Sequence, residues 1–194
     1  HGVSCELDHE VTREELKALE VDEVIVATGA EPAVPDVPGI DRPNVVSALD
    51  VMRGQVDVGE KVVILSGKGV AISTALYLLD KGGHEVALVS APKKVGLDVN
   101  PSYIWRYRQK LKKGGAVMAT LCNVVEINDE GVVVQNKATK EQMTLPADTV
   151  VLAEMKKVDD LVGAKKGHYT IGDALLVRRG NSAILDGYRM GMRL

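Results

Sequence analysis

Between residues 61 and 81 the chain reads as an apolar strand, KVVIL, then Ser66-Gly67-Lys68-Gly69, then a helix-like run. A tight glycine-bearing turn of this kind gathers backbone N–H groups at the positive end of a helix, which is where a pyrophosphate binds. Placed by the end of the strand, the dinucleotide fingerprint GxGxxG falls on Ser66, Lys68 and Ala71, with Gly67 and Gly69 in the positions between. Ala71 meets the third requirement, close packing of helix on strand. Lys68 sets a side chain where phosphates approach the backbone. Either it meets a phosphate as a point charge, or the turn keeps its fold without its ligand. A P-loop is excluded, because Lys68 is followed by Gly69 and not by Ser or Thr. The next strand, EVALV, ends at Ser90, where an acidic residue would accept the ribose hydroxyls of NAD. Ser90 followed by Lys93-Lys94 suits a 2′-phosphate better and points to NADP over NAD; the alternative is a solvated lysine pair.

Other chemistries find little support. Cys5 and Cys122 are the only cysteines and form no CxxC, so neither a redox dithiol nor a four-cysteine metal site can be assembled. His1, His9, His84 and His168 show no ligand spacing, and no acid, base or nucleophile constellation stands out. The expectation is no metal and no catalytic side chain. A net charge of −3 provides no electrostatic footprint for nucleic acid or an anionic membrane surface. No apolar run reaches the roughly 18 residues of a membrane span, and no signal-peptide pattern opens the sequence. Two scattered cysteines suit a reducing, cytoplasmic setting.

The elements that must position the turn follow an α/β order. With 3% aromatic residues and no Phe, the core must be built from Val, Ile, Leu, Ala and Met, as buried parallel strands allow. Strands are expected at 22–27, 61–65, 85–89 and 148–153, and helices at 47–53 (capped by Ser47), 70–81, 101–113 and 181–194. Gly82-Gly83 and Gly114-Gly115 stop the second and third helices. Four short runs at 116–121, 123–128, 131–135 and 141–145 read as an antiparallel meander, with Gly131 completing a hairpin turn. Prolines 32, 35, 38 and 43 mark an ordered connection between two units.

Three landmarks occur in one order: Ala27-Thr28-Gly29 after a strand, the strand–turn–helix at 61–81, and Gly172-Asp173 after Tyr169-Thr170-Ile171. Together with DEVIVATGAEPAVPDVPGID, NVVSALDV, LPADTVVLA and the IGDA…RR…GYR pattern, they span the chain and resemble the two-dinucleotide flavoproteins, the pyridine nucleotide-disulphide oxidoreductase fold. The likeness is greatest to the C-terminal region of old-yellow-enzyme-like NADH:flavin oxidoreductases, 2,4-dienoyl-CoA reductase and trimethylamine dehydrogenase. It implies a Rossmann-like FAD/NAD(P)-binding fold, a mainly parallel sheet with an antiparallel β-meander. Residues 1–45 and 156–194 would be the remnant of an FAD-type domain, and 46–155 an NAD(P)-type domain.

The resemblance also implies roles. Thr28-Gly29 would stand beside the FAD adenosine, Asp173 would accept from the flavin ribityl chain, and Arg178-Arg179 match the family's paired bases. Ser66, Gly67, Lys68, Gly69, Ser90 and Lys93 would face NAD(P). The family carries glycine where Glu154-Met155 stand here, so a side chain again fills a place that ligand would need. The FMN barrel, the iron–sulfur segment and the FAD fingerprint would lie upstream of His1, leaving the isolated chain a poor FAD binder. The barrel would be its partner within one polypeptide, and an electron-carrier protein a second.

Two functions follow. One is the nucleotide-binding part of a reductase passing hydride from NAD(P)H to FAD, then electrons to FMN and an enoate or enoyl-CoA substrate. The other is a vestigial nucleotide domain serving as scaffold, ADP site or carrier-docking module. The missing CxxC sets a disulphide reductase aside. If the turn is vestigial, Ser66→Gly with Lys68→Gly should improve dinucleotide binding. If Lys68 grips phosphate, the same change should weaken binding by about 1–3 kcal/mol.

Overall fold

The computed structural model describes residues 2–158 and 166–194. In chain order its elements are α1 (Arg13–Ala18), β1 (Val24–Val26), β2 (Ala30–Pro32), β3 (Val45–Ser47), α2 (Ala48–Arg53), β4 (Lys61–Leu65), α3 (Gly69–Lys81), β5 (Glu85–Ser90), α4 (Pro101–Lys113), β6 (Val117–Thr120), β7 (Cys122–Asn128), β8 (Gly131–Asn136), β9 (Gln142–Pro146), β10 (Thr149–Leu152), β11 (Met155–Lys157), β12 (His168–Thr170), a 3-10 turn (Gly172–Ala174) and α5 (Gly180–Gly191). The chain forms two compact units. His1–Glu31 with Lys157–Leu194 makes one, and Pro32–Lys156 the other.

The larger unit is built on a five-stranded sheet in the order β3-β10-β4-β5-β6. Every pairing in it is parallel. Its central strands are apolar on both faces because both faces are covered: Val62, Val63, Ile64, Val150 and Val151 are all fully buried. Val62, Ile64, Val86, Leu88 and Val151 point to one side, where Ala71, Ile72, Ala75 and Leu78 of α3 and Leu111 of α4 pack on them. Small residues on α3 let its axis lie close to the strands. Val63, Leu65, Val89, Val150 and Leu152 point to the other side, against Ile127, Val132, Val134 and Leu145 of the antiparallel sheet β7-β8-β9. Local signals place the ends: Ser47 Oγ accepts the Asp50 N–H at 3.1 Å to cap α2, and Pro101 opens α4 behind the Asn100 cap.

The expected α/β architecture with a parallel sheet and antiparallel strands is observed, and one strand moves between its parts. The run at 116–121 was expected to open the meander; instead β6 pairs in parallel with β5, from Ala87↔Val117 to Ser90↔Thr120. Helix α4 returns the chain to the edge where β5 began, so the next strand restarts in the same direction. The reversal comes one residue later, at Leu121, whose φ of +58° turns the backbone into β7. The first crossing between the two compact units comes before the proline-rich segment. It falls at Glu31/Pro32, since Val37, Ile40 and Val45 pack on the second core and the Ile127 N–H bonds the Pro38 carbonyl at 2.8 Å. The second crossing is at Lys156/Lys157. Within the expected 156–194 segment, residues 159–165 lie outside the described residues.

The smaller unit holds a parallel pair, β1 with β12, in the register Val24↔His168, Ile25↔Tyr169 and Val26↔Thr170. Helix α1, not expected from the sequence, is set by a capping box: Thr12 Oγ1 accepts the Glu15 N–H at 3.2 Å and Glu15 Oε2 accepts the Thr12 N–H at 2.7 Å. That backbone bond, with the Thr12 hydroxyl and nearby His9, holds the exposed Glu15 carboxyl below its ordinary value. A depressed value in the fold means that the cap's contribution is complete above the ordinary carboxylate range. It is lost as pH falls through the lowered value. The protection factor of the Leu16 amide, whose N–H bonds the Thr12 carbonyl at 3.0 Å, should therefore fall on acidification once the pH dependence of intrinsic exchange is divided out. The pH at which it does so should lie below the ordinary glutamate range, and Glu15→Gln, which removes the titrating group, should abolish the dependence.

Candidate functional site

In the larger unit the carboxyl ends of β10, β4 and β5 open on a cleft of about 810 Å³. Apolar side chains make most of its wall, among them Val34 and Val37 from the proline-rich segment, Leu97, and Val124 from β7. Lys68, Lys94, Asp98 and Glu154 bring the charges. A parallel sheet places ligands at this edge, beside the turn that begins the following helix.

The turn after β4 is tightly organised. Lys68 is the N-cap of α3, in extended backbone, and its side chain makes no capping bond. That side chain instead forms an ion pair with Glu154, which follows β10. Glu154 also accepts the Ser66 hydroxyl at 3.0 Å, and the same hydroxyl accepts the Lys68 N–H at 3.1 Å. The first amide of the helix, Gly69 N–H, donates to Asp98 Oδ2 at 2.9 Å. Gly67 answers a packing demand: a Cβ there would lie 2.3 Å from Ser90 Oγ and 2.7 Å from Ser90 Cβ. Its carbonyl accepts the Gly96 N–H at 2.5 Å. The close approach that a fingerprint glycine usually gives a phosphate is used here by the protein's own β5 and the loop after it.

Ser66, Gly67, Lys68, Gly69 and Ser90 therefore lie together at one strand edge. Ser90 is 3% exposed and packed on the turn, while Lys93 stands outside the cleft lining and Lys94 within it. In the smaller unit, Thr28 and Gly29 follow β1, and Gly172 and Asp173 follow its partner β12, so both pairs sit at the carboxyl ends of paired parallel strands. Gly29 and Gly172 have φ of +80° and +62°. Asp173 Oδ1 accepts the Arg178 N–H at 3.0 Å, and the Arg178 guanidinium pairs with Asp186, which also accepts the Gly172 N–H at 3.2 Å. Asp98 was missed from sequence. It lies 29 residues from the amide it caps, in a loop with no periodic pattern, and only the neighbouring Asn100-Pro101 helix start carries a local signal.

This chain belongs to the pyridine nucleotide-disulphide oxidoreductase family, whose model matches residues 2–167. It is 33% identical over 193 residues to an NADH oxidase of Thermoanaerobacter brockii, covering 93% of this chain and 29% of that protein. It is 40% identical over 88 residues to a cinnamate reductase of Clostridium sporogenes, covering 45% of this chain and 13% of that one. Among solved structures, a 2-naphthoyl-CoA reductase in complex with 2-naphthoyl-CoA superposes with a TM-score of 0.86 at 35% identity, over all of this chain and 30% of that one. The chain thus spans about a third or less of each of these relatives. It is a region of the nucleotide-binding type that this family's model describes.

The cleft's place and volume suit a dinucleotide. Its donor set does not, in the arrangement present. The Lys68 and Gly69 amides are both taken by side chains, the Lys68 ammonium is paired, and two carboxylates stand where a dianion would come. Among the described residues no helix is long and apolar enough to cross a membrane.

Proposed function

We propose that this chain is the nucleotide-handling part of a longer NAD(P)H-dependent flavoenzyme. Residues 46–155 serve as the NAD(P)-type domain, and the 1–45 and 156–194 segments belong to the FAD-type domain. The observation that carries the reading is the cleft at the carboxyl ends of β10, β4 and β5, formed by the strand–turn–helix whose fingerprint positions are Ser66, Lys68 and Ala71. Bound nicotinamide and flavin would themselves supply the hydride and electron transfer, while the protein holds and orients them. The relatives support a reductase of an enoate or aryl-CoA type compound as the whole protein's activity, with FMN, an iron–sulfur segment, a barrel and an electron carrier as further expected parts. A reducing, cytoplasmic setting fits that chemistry.

A second reading, a nucleotide domain retained as scaffold, is favoured by the engaged amides of Lys68 and Gly69. Anaerobic titration of the whole gene product separates the two. Bleaching of the flavin spectrum by NADH or NADPH supports the first. A flavin reduced by dithionite but by neither nucleotide supports the second.

A further inference from the structure

The β5–α4 connection is seated firmly enough to fix what its acidic residue does. Val95 is 2% exposed and belongs to the first core. Its carbonyl accepts Arg108 Nε at 3.0 Å and Nη2 at 2.5 Å, and the next residue, Gly96, donates to Gly67. Gly96 is tightly enclosed, since a Cβ there would meet Ile104 Cδ1 at 2.1 Å. Two residues on, the chain presents the Asp98 carboxylate to the first amide of α3. Lys68 provides no side-chain cap, so the cap comes from another part of the fold.

A carboxylate and a pyrophosphate gain from the same thing at a helix N-terminus, unpaired N–H groups and the positive end of the dipole. They compete for one place. We infer that Asp98 determines the cleft's dinucleotide affinity and specificity: it is a built-in anion on the α3 N-terminus that a pyrophosphate must displace, whereas a ligand without phosphate at that point need displace nothing. The inference rests on the reading of the larger unit as a dinucleotide-type domain. Asp98 is exposed, so it can swing into water; it acts as a competitor and not as a plug. Of the groups that occupy the donor set, Asp98 is the one seated on the helix's first amide.

Titration of NADH into the whole gene product and its Asp98→Asn and Asp98→Ala variants, with adenosine as the phosphate-free comparison, tests this. Asp98→Asn keeps an oxygen for the Gly69 N–H and removes the charge. Its NADH dissociation constant is expected to fall about tenfold, the scale of one like charge near the ligand in a partly aqueous site, with adenosine unchanged. The Gly69 amide resonance reads the cap without nucleotide: it should move in Asp98→Ala and stay close to its original position in Asp98→Asn. A Gly69 resonance indifferent to Asp98→Ala would overturn the inference at its first step. Equal NADH affinities in all three proteins would overturn it while leaving the dinucleotide reading in place. A cap that is present, with no NADH binding by any of the three, removes the dinucleotide reading of the cleft and the inference with it.

Discussion

Gly39→Ala is expected to lower the unfolding free energy by about 2–4 kcal/mol, although position 39 lies in a surface connection outside every strand and helix. The backbone there has a φ of +83°, and a Cβ would stand 1.9 Å from the Ile127 carbonyl oxygen and 2.8 Å from its carbon. Both are backbone atoms, so no rotamer change relieves the overlap. Either the proline-rich segment or β7 must move. Ile127 is 3% exposed in the second core, and its N–H bonds the Pro38 carbonyl at 2.8 Å, so the displacement reaches packed side chains. Gly54→Ala is the control. Its φ of +69° and ψ of 27° are left-handed helical, and nothing lies within 4 Å of the added carbon, which leaves only the conformational cost of about 1 kcal/mol. Urea unfolding of both variants measures the difference. Equal losses would show that the close approach at Ile127 is absent in solution. Because Val37 lines the cleft, Gly39→Ala should also disturb ligand binding there, whereas Gly54→Ala should not.

The contrast between those two glycines resembles the contrast between what the residues disclose locally and what they do not. The β4–α3–β5 unit was legible because each signal is contiguous: an apolar run, a glycine turn, a helix with small residues on one face, and two glycines to stop it. The bounds of α4 were legible for the same reason, with Asn100 and Pro101 at one end and Gly114 at the other. Strand β6 was read correctly as a strand and wrongly as part of the meander. Pairing direction follows from the route taken by α4, and the alternation of four residues carries no record of it. The close approach of Gly39 to Ile127 links segments joined only in the folded chain, and so does the bond from Gly69 to Asp98. The same holds for Glu154. Its departure from the family's glycine was visible in sequence, but the two partners it holds, Ser66 and Lys68, became visible only once β10 lay beside β4.

That triangle changes what a glycine-restored turn should do. On sequence alone, Ser66→Gly with Lys68→Gly clears the pyrophosphate path and creates binding if the site is vestigial. In the fold the same substitutions strip Glu154 of the ammonium and the hydroxyl it holds. They leave an unpaired carboxylate beside the residue-68 amide that loses the Ser66 hydroxyl, while Asp98 stays on the Gly69 amide. A like charge at about 4 Å opposes a phosphate by about 1 kcal/mol in water and about 4 kcal/mol in a partly shielded site, enough to cancel the gain from one freed amide. The double variant is therefore expected to bind NADH no better than the parent, which should show no binding at micromolar concentrations. Adding Glu154→Gln to the pair removes the charge and keeps a hydrogen-bonding side chain. That triple variant should tighten NADH binding by at least about tenfold, or 1.4 kcal/mol. All three proteins should fold, since an ion pair whose side chains are 60% and 37% exposed contributes about 0–1 kcal/mol. Calorimetry with NADH and NADPH reads the result. A parent with micromolar affinity that is lost on Lys68→Gly would mean that Lys68 leaves Glu154 to grip phosphate, and the expected order of the three proteins would be reversed.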